Sequence, residues 1–341
     1  MGGAGGSSGG EGKGGTASHE GVVASGTGGV WRVLGDDGDE YEASMRGRLK
    51  KADMGRRADG SIRRDTVAVA AKMLKLAVGD RVRLERDTEQ DTWAIAEILP
   101  RKSRLARRAP GGGKGERLIA ANVDQMIVMF AAANPEPHVR MLDRFLVIAE
   151  ANELATRIII NKVELVGEGA ARERFADYDR AGYEVHFTSV KQRIGLDSIA
   201  QALTGKTSVV SGPSGVGKSS LLNALFPGLG LRVSEVSESV NKGVHTTVGA
   251  YLHPLPASVG GAVVDTPGLR EIGMWELPVE ELILCFPELR TLRDDCKFRN
   301  CSHIREPGCA IRAAVENQSV SRARYESYLK LRSEIESEET N

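Results

Sequence analysis

After residue 20, hydrophobic and polar positions alternate in short runs: GVVAS, GVWRVL, YEASM, DRVRLER and TWAIAEIL. Turn-forming segments such as GDDGDE and AVGD separate them. Short strands punctuated by Gly and Asp predict a small barrel over residues 21–108. Within it, KKADMGRRADGSIRRD breaks the alternation and reads as a basic loop. Beyond the basic run RKSRLARR and the glycine-rich link APGGGKG, the period changes. VDQMIVMFAA and TRIIIN are continuous apolar runs, the pattern of strands buried on both faces. Between them, HVRMLDRFLVIAEANEL places Met141, Leu142, Phe145, Leu146 and Ile148 at helical spacing. TSVVSG and GAVVDTPG add two further strands, each ending in a polar loop. Such alternation predicts an α/β domain, a parallel sheet covered by helices, over residues 109–278. In such sheets ligands bind at the carboxyl ends of the strands. The remaining residues, 279–341, contain VSRARYESYLKLRSEIES, which reads as an amphipathic helix with Tyr325, Tyr328, Leu331 and Ile335 inward.

Composition adds a tail, a charge asymmetry and a metal. Residues 1–20 are rich in Gly and Ser and nearly devoid of apolar side chains, so they cannot offset their ordering entropy and are expected to be disordered. The whole chain of 341 residues has zero formal net charge, yet residues 46–108 hold 18 Lys/Arg against 9 Asp/Glu. A locally basic domain points to a polyanionic partner. No apolar run approaches the roughly 18–20 residues that cross a bilayer. The opening MGGAGG lacks the hydroxyl residue that myristoylation needs, since Gly6 stands there. Cytoplasmic location without membrane attachment is the expectation. Of four cysteines, Cys296, Cys301 and Cys309 share one segment with His303, in the spacing Cys-x4-Cys-x-His-x5-Cys. Three thiolates and one imidazole make the ligand set of a closed, structural zinc site with no position left for catalysis. Cys285 falls on an apolar helical face and reads as core packing.

The chemistry concentrates in four loops. Gly212, Pro213, Ser214, Gly215, Val216, Gly217, Lys218 and Ser219 fit the phosphate-loop pattern G-x-x-x-x-G-K-[ST], between a strand-like and a helix-like run, with Ser220 next. The glycines let backbone N–H groups converge on phosphates, Lys218 reaches the β/γ oxygens, and the Ser219 hydroxyl ligates Mg²⁺. Asp265-Thr266-Pro267-Gly268 has the form D-x-x-G, in which Asp265 holds Mg²⁺ through water and the Gly268 amide senses the γ-phosphate. Between these two loops lies NKGVHTTVGA, where Thr246 or Thr247, with Thr247 preferred, supplies a second hydroxyl to Mg²⁺. Earlier in the chain, Asn161-Lys162-Val163-Glu164 resembles the guanine-reading element of GTPases. On that reading Asn161 bonds the guanine edge, Lys162 packs over the base, and Glu164 accepts from N1–H and the exocyclic amine. Ser189 lies where a second base-contacting loop is expected. Base-reading elements that precede the phosphate loop amount to a circular permutation of the GTPase sheet.

With NKVEL, GPSGVGKSSLLN, GVHTTV, DTPGLREIGMW and CKFRNCSHIREPGCA together, the chain resembles the RsgA family of ribosome small-subunit-dependent, circularly permuted GTPases. The resemblance implies an OB-fold barrel that binds rRNA, the permuted GTPase domain, and a zinc domain with C-terminal helices. It also implies GTP hydrolysis to GDP in late maturation of the small (30S) subunit, stimulated by that subunit and its 16S rRNA, by a monomer using Mg²⁺ with GTP and one zinc ion. Leu269 stands where Ras-like enzymes carry the water-orienting glutamine, so the resemblance points to His245 as the catalytic residue beside Lys218. Glu164 replaces the usual Asp, and Val244 and Val248 also depart from the family pattern. A nucleotide-switched RNA-binding module with negligible turnover is the alternative reading, supported by the absent glutamine. A P-loop enzyme of ATP metabolism is disfavoured by NKVE and the basic barrel.

Overall fold

The computed structural model describes residues 18–46, 76–87, 91–108, 116–231, 250–266 and 277–339. Five strands close the amino-terminal barrel: β1 (Ser18–Thr27), β2 (Val30–Gly35), β3 (Glu40–Met45), β4 (Arg81–Asp87) and β5 (Thr92–Ile98), in the order β1-β2-β3-β5-β4. Their inward positions, Val23, Val33, Ala43, Val82, Leu84 and Ile95, form its core, with Trp31, Tyr41 and Trp93 packed against it. The alternation read from the sequence thus becomes inside and outside of one barrel. Gly26 pairs with Trp31, and a Cβ at Gly26 would meet that indole at 2.2 Å, so only glycine admits the ring there.

A ribbon of β6 (Arg104–Arg108) and β7 (Glu116–Ala121) leads into a six-stranded sheet. Its strands are β8 (Gln125–Ala131), β9 (Ala155–Asn161), β10 (Glu184–Phe187), β11 (Thr207–Ser211), β12 (Tyr251–Pro254) and β13 (Ala262–Asp265). The order across the sheet is β10-β9-β8-β11-β13-β12, parallel except that β12 runs antiparallel to β13. Every residue of β8 is buried, and the period of two divides it between two cores. Met126, Val128 and Phe130 face helices α1 (Val139–Ala151) and α2 (Glu168–Arg180). Ile127, Met129 and Ala131 face α3 (Leu196–Leu203) and α4 (Lys218–Leu225). The continuous apolar run therefore reflects burial on both faces.

The barrel covers the β12 edge of this sheet: Val22, Ala24 and Leu34 join the core that holds Ala250 and Leu252. Asp80, fully buried, ties the segment before β4 to the segment after β5. Its carboxylate accepts from Arg101 Nε at 2.6 Å, from Arg101 Nη2 at 2.8 Å and from the Ala77 amide at 2.8 Å. Several basic residues that the sequence reading offers to a polyanion are in ion pairs: Arg101 with Asp80, Arg46 with Glu85 at 2.6 Å, Arg81 with Asp36, Arg83 with Glu20 and Arg86 with Asp91. The positions from Arg48 to Arg64 lie outside the described residues.

The carboxyl-terminal region packs a 3-10 turn (Leu282–Cys285) and helices α5 (Pro287–Arg290), α6 (Ala310–Glu316) and α7 (Arg322–Glu339) around one apolar core, with Val147 of α1 contributing. Tyr325, Tyr328, Leu331 and Ile335 face inward, as the helical spacing predicts. Cys285 is buried in this core, and burial pushes its thiol up to about 12. One buried ionic cluster joins the region to the sheet. Arg324, 2% exposed, bonds Asp143 of α1 at 2.5 Å and Glu288 of α5 at 2.7 Å, and lies 4.6 Å from the Phe286 ring centroid. Tyr178 of α2 donates to the same Asp143 at 2.9 Å. No helix among the described residues is long and apolar enough to cross a membrane. Replacing one member of such a cluster strands its partners, at a cost of about 3–5 kcal/mol. Arg324→Leu is expected to lower unfolding stability by that amount in urea titration, a loss that an exposed ion pair would not produce.

Candidate functional site

The strands end where the polar loops begin. β11 runs into residues 212–217 and then α4, whose first turn carries Lys218, Ser219 and Ser220. Gly212 (φ 141°) presses on β8, so that a Cβ there would sit 2.0 Å from the Met129 carbonyl oxygen. Gly217 (φ 101°) lies against β9, and a Cβ there would sit 2.6 Å from Asn161 Nδ2. Val216 between them is buried and anchors the loop in the core below. Pro213, Ser214 and Gly215 complete the turn, across which Lys218 Nζ donates to the carbonyls of Gly212 at 2.9 Å and Pro213 at 2.8 Å. A helix N-terminus behind a glycine cradle with a lysine at its mouth is built for phosphate. Asp265, at the end of β13, is exposed and registers with Val210, just before the loop. Thr266 is buried, and its hydroxyl has no hydrogen-bond partner among the described residues.

On the other side of β8, Asn161 ends β9 with 2% exposure. Its Nδ2 donates to the Val216 carbonyl at 2.9 Å, and its Oδ1 accepts from the Thr188 hydroxyl at 3.1 Å. The amide that the sequence reading gives to guanine is thus shared. It ties the loop after β9 to the phosphate loop and to the loop after β10, leaving one N–H and one lone pair over. Lys162 adopts a left-handed conformation (φ 62°) that turns the chain into the 3-10 helix Val163–Leu165, and its ammonium bonds the Asn134 carbonyl. Glu164 sits in that helix with carboxylate Oε2 buried and without a hydrogen-bond partner among the described residues, an acceptor in want of a donor. Ser189 is fully buried, and its hydroxyl accepts from the Gln192 amide at 3.0 Å, which places it in the turn. Thr188, the neighbour that touches Asn161, was missed by sequence reasoning. Its only signal is a hydroxyl at the end of a strand-like run. His245, Thr246, Thr247 and Gly268 lie outside the described residues.

The second cluster is in the carboxyl-terminal region. One ligand atom each from Cys296, Cys301, His303 and Cys309 lies within 4.8 Å of all the others. His303 Nδ1 is 3.6 Å from Cys296 Sγ and 3.5 Å from Cys309 Sγ, and those two sulfurs are 4.0 Å apart. These separations approach the edges of a tetrahedron with Zn–S near 2.3 Å and Zn–N near 2.0–2.1 Å. The chain is held for this. Cys309 caps α6, accepting from the Arg312 amide at 3.5 Å, and Tyr325 donates to the His303 carbonyl at 2.6 Å. Glu306 gathers the amides of Ser302 at 2.7 Å, Ile304 at 3.1 Å and Arg305 at 3.0 Å. The Ser302 hydroxyl, with the backbone amides of Ser302, Glu306 and Arg305, holds its carboxyl well below the usual carboxylate range. Burial pushes the Cys301 thiol up to about 12 and the His303 imidazole down. A neutral imidazole suits ligation, and a thiol that coordinates a cation is deprotonated by it.

A family model described as RsgA GTPase matches residues 98–275, more than half of the chain. The chain belongs to the RsgA GTPase family. A relative named small ribosomal subunit biogenesis GTPase RsgA, from Gemmatimonas aurantiaca, is 55% identical, with 94% of this chain and 98% of that one covered. A relative of the same name from Bacteroides fragilis is 36% identical, with 92% and 96% covered. Among solved structures, YjeQ from Thermotoga maritima superposes with a TM-score of 0.71 at 33% identity, covering 94% of this chain and 99% of that one. YloQ, described as a circularly permuted GTPase, gives 0.67 at 29% identity, covering 94% and 96%. The RsgA fold explains the motif order: β9 and β10 precede β11 in the chain, yet all three end on the same side of one sheet. The protein is therefore a P-loop GTPase with a circularly permuted domain, and GTP hydrolysis by such an enzyme uses Mg²⁺. Gly217→Ala is expected to lower GDP affinity at least about ten-fold, since φ 101° and the contact with Asn161 impose roughly 1–3 kcal/mol of strain. Titration calorimetry reads it directly, and an unchanged dissociation constant would contradict the geometry.

Proposed function

We propose that this GTPase acts in the late maturation of the small ribosomal subunit, binding the subunit through rRNA and hydrolysing GTP faster when bound. The observation that carries the reading is 55% identity along nearly the full length of a relative named for small-subunit biogenesis. The division into a tail (1–20), a barrel (21–108), a GTPase domain (109–278) and a zinc domain (279–341) belongs to the same reading. So do action as a monomer and a place in the cytoplasm. The basic segment in residues 46–108 would meet phosphate with a strong salt dependence.

In the site, residues Gly212 to Ser220 hold the phosphates, with Lys218 on the β/γ oxygens as charge develops there. Ser219 and Thr247 would hold Mg²⁺ directly and Asp265 through water, with Thr246 adjacent. The ion neutralises charge on the β- and γ-phosphates when bound. Gly268 answers to the γ-phosphate. Glu164 supplies base selectivity: its buried oxygen, without a partner among the described residues, suits the N1–H and exocyclic amine of guanine, donors that adenine does not offer in that arrangement. Asn161 supports this through its remaining N–H and lone pair, and Lys162 covers the base. Ser189 supports the neighbouring turn. Three thiolates and one imidazole in near-tetrahedral separation favour one structural zinc ion at Cys296, Cys301, His303 and Cys309, which fastens the domain and takes no part in hydrolysis.

With Leu269 unable to orient water, His245 takes that role. Steady-state GTP turnover measured with and without purified small subunits tests the reading. Stimulation of at least about ten-fold is expected, equivalent to about 1.4 kcal/mol of barrier. His245→Ala should keep GTP affinity and lose the stimulated rate. Equal loss of binding and turnover would remove His245 from the chemistry, and tight GDP binding with no stimulation would favour a nucleotide-switched binding module.

A further inference from the structure

The barrel meets the GTPase sheet along β12, and one polar contact crosses there within the described residues' hydrogen bonds: Arg32 Nη1 of β2 donates to the Tyr251 hydroxyl at 3.0 Å. The Nε of Arg32 pairs with Glu40 of β3, so the guanidinium is held from the barrel side. Beneath it, Val22, Ala24 and Leu34 of the barrel share a core with Ala250 and Leu252. Tyr251 stands directly opposite Asp265 in the antiparallel ladder. Opposite residues place their side chains on one face with Cβ atoms about 4.5–5.5 Å apart. The Tyr251 ring also lies 4.5 Å, centroid to centroid, from that of His253, two residues along the same face. Displacement of the barrel's β2 relative to the sheet therefore acts on β12 at the residue that flanks Asp265.

We propose that Tyr251 is a positioning residue for the GTPase reaction, a strut by which barrel strand β2 sets the end of β13 that carries Asp265. The inference rests on the assignment of Asp265 to the magnesium site. Coupling of this kind is reciprocal: a γ-phosphate that fixes Asp265 is felt in the barrel, and a ligand that shifts the barrel is felt at Asp265. The hydroxyl is the working group, because the ring alone gives Arg32 no hydrogen-bond acceptor.

The barrel carries Trp31, beside Arg32, and Trp93, and the third tryptophan of the chain is Trp275. In the full chain with Trp275→Phe, tryptophan emission reports the barrel alone. Emission is expected to differ between the GDP–Mg²⁺ form and the form bound to a non-hydrolysable GTP analogue with Mg²⁺. Tyr251→Phe should shrink that difference at least about five-fold. An equal difference in the Tyr251→Phe variant overturns the inference, as does a parent protein that shows none. If Trp275→Phe folds poorly, hydrogen exchange of Val30–Gly35 in the unsubstituted chain and in Tyr251→Phe gives the same comparison. Protection that follows the nucleotide only when the hydroxyl is present supports the strut, and identical or absent changes overturn it. Neither measurement contains ribosomal subunits. The assignment of Asp265 is checked apart, by whether Asp265→Asn abolishes the Mg²⁺ dependence of nucleotide affinity.

Discussion

Two hydrogen bonds from one buried side chain hold the nucleotide site together. Asn161 donates to the phosphate loop at Val216 and accepts from Thr188 in the loop after β10. At 2% exposure it has no water to fall back on, and each buried polar group left unmatched would cost about 1–3 kcal/mol. The three loops are thereby held as one surface although they come from separate stretches of the chain. Gly217 belongs to the same constraint, since any side chain there would displace the Asn161 amide. Circular permutation is harmless to such an arrangement. Strand neighbours in space, with β8 between β9 and β11, bring the loops together whatever their order in sequence.

The flanking regions meet the sheet domain at different elements. The barrel packs against β12, the last strand of the sheet. Asp80, a fully buried carboxylate with both oxygens on the Arg101 fork, ties the segments that flank β4 and β5. The carboxyl-terminal region attaches through Arg324, held by Asp143 and Glu288 beneath aromatic rings. Buried ion pairs of this sort contribute little net stability but tolerate few alternative geometries. The carboxyl-terminal region is thereby tied to α1, which covers one face of the sheet.

Legibility from the sequence followed the range of the interactions. The phosphate loop, the Cys296, Cys301, His303 and Cys309 spacing and the apolar runs of β8, β9 and β11 are local patterns, and the structure forms the strands and gathers the four side chains accordingly. The barrel was legible from its alternation, and α7 from its spacing. What escaped depends on partners far along the chain. Arg101 reads as a free cation until Asp80 is found beside it, and Asp80 itself looks like a turn residue in AVGD. Asn161 reads as a base contact, and its ties to Val216 and Thr188 span 55 and 27 residues. Arg324 sits in a charged stretch, RARYESY, that gives no sign of a residue buried against α1. Side chains that can bond in several ways take their role from the fold.

Asn161 braces the phosphate loop through the Val216 carbonyl. Isothermal titration of Asn161→Ala with GDP and with inorganic pyrophosphate, which has no base, tests it most directly. The brace predicts weaker binding of both ligands, by about ten-fold or more for pyrophosphate as the Val216 carbonyl loses its partner. Weaker GDP binding with unchanged pyrophosphate affinity would contradict it, and would return Asn161 to base recognition alone.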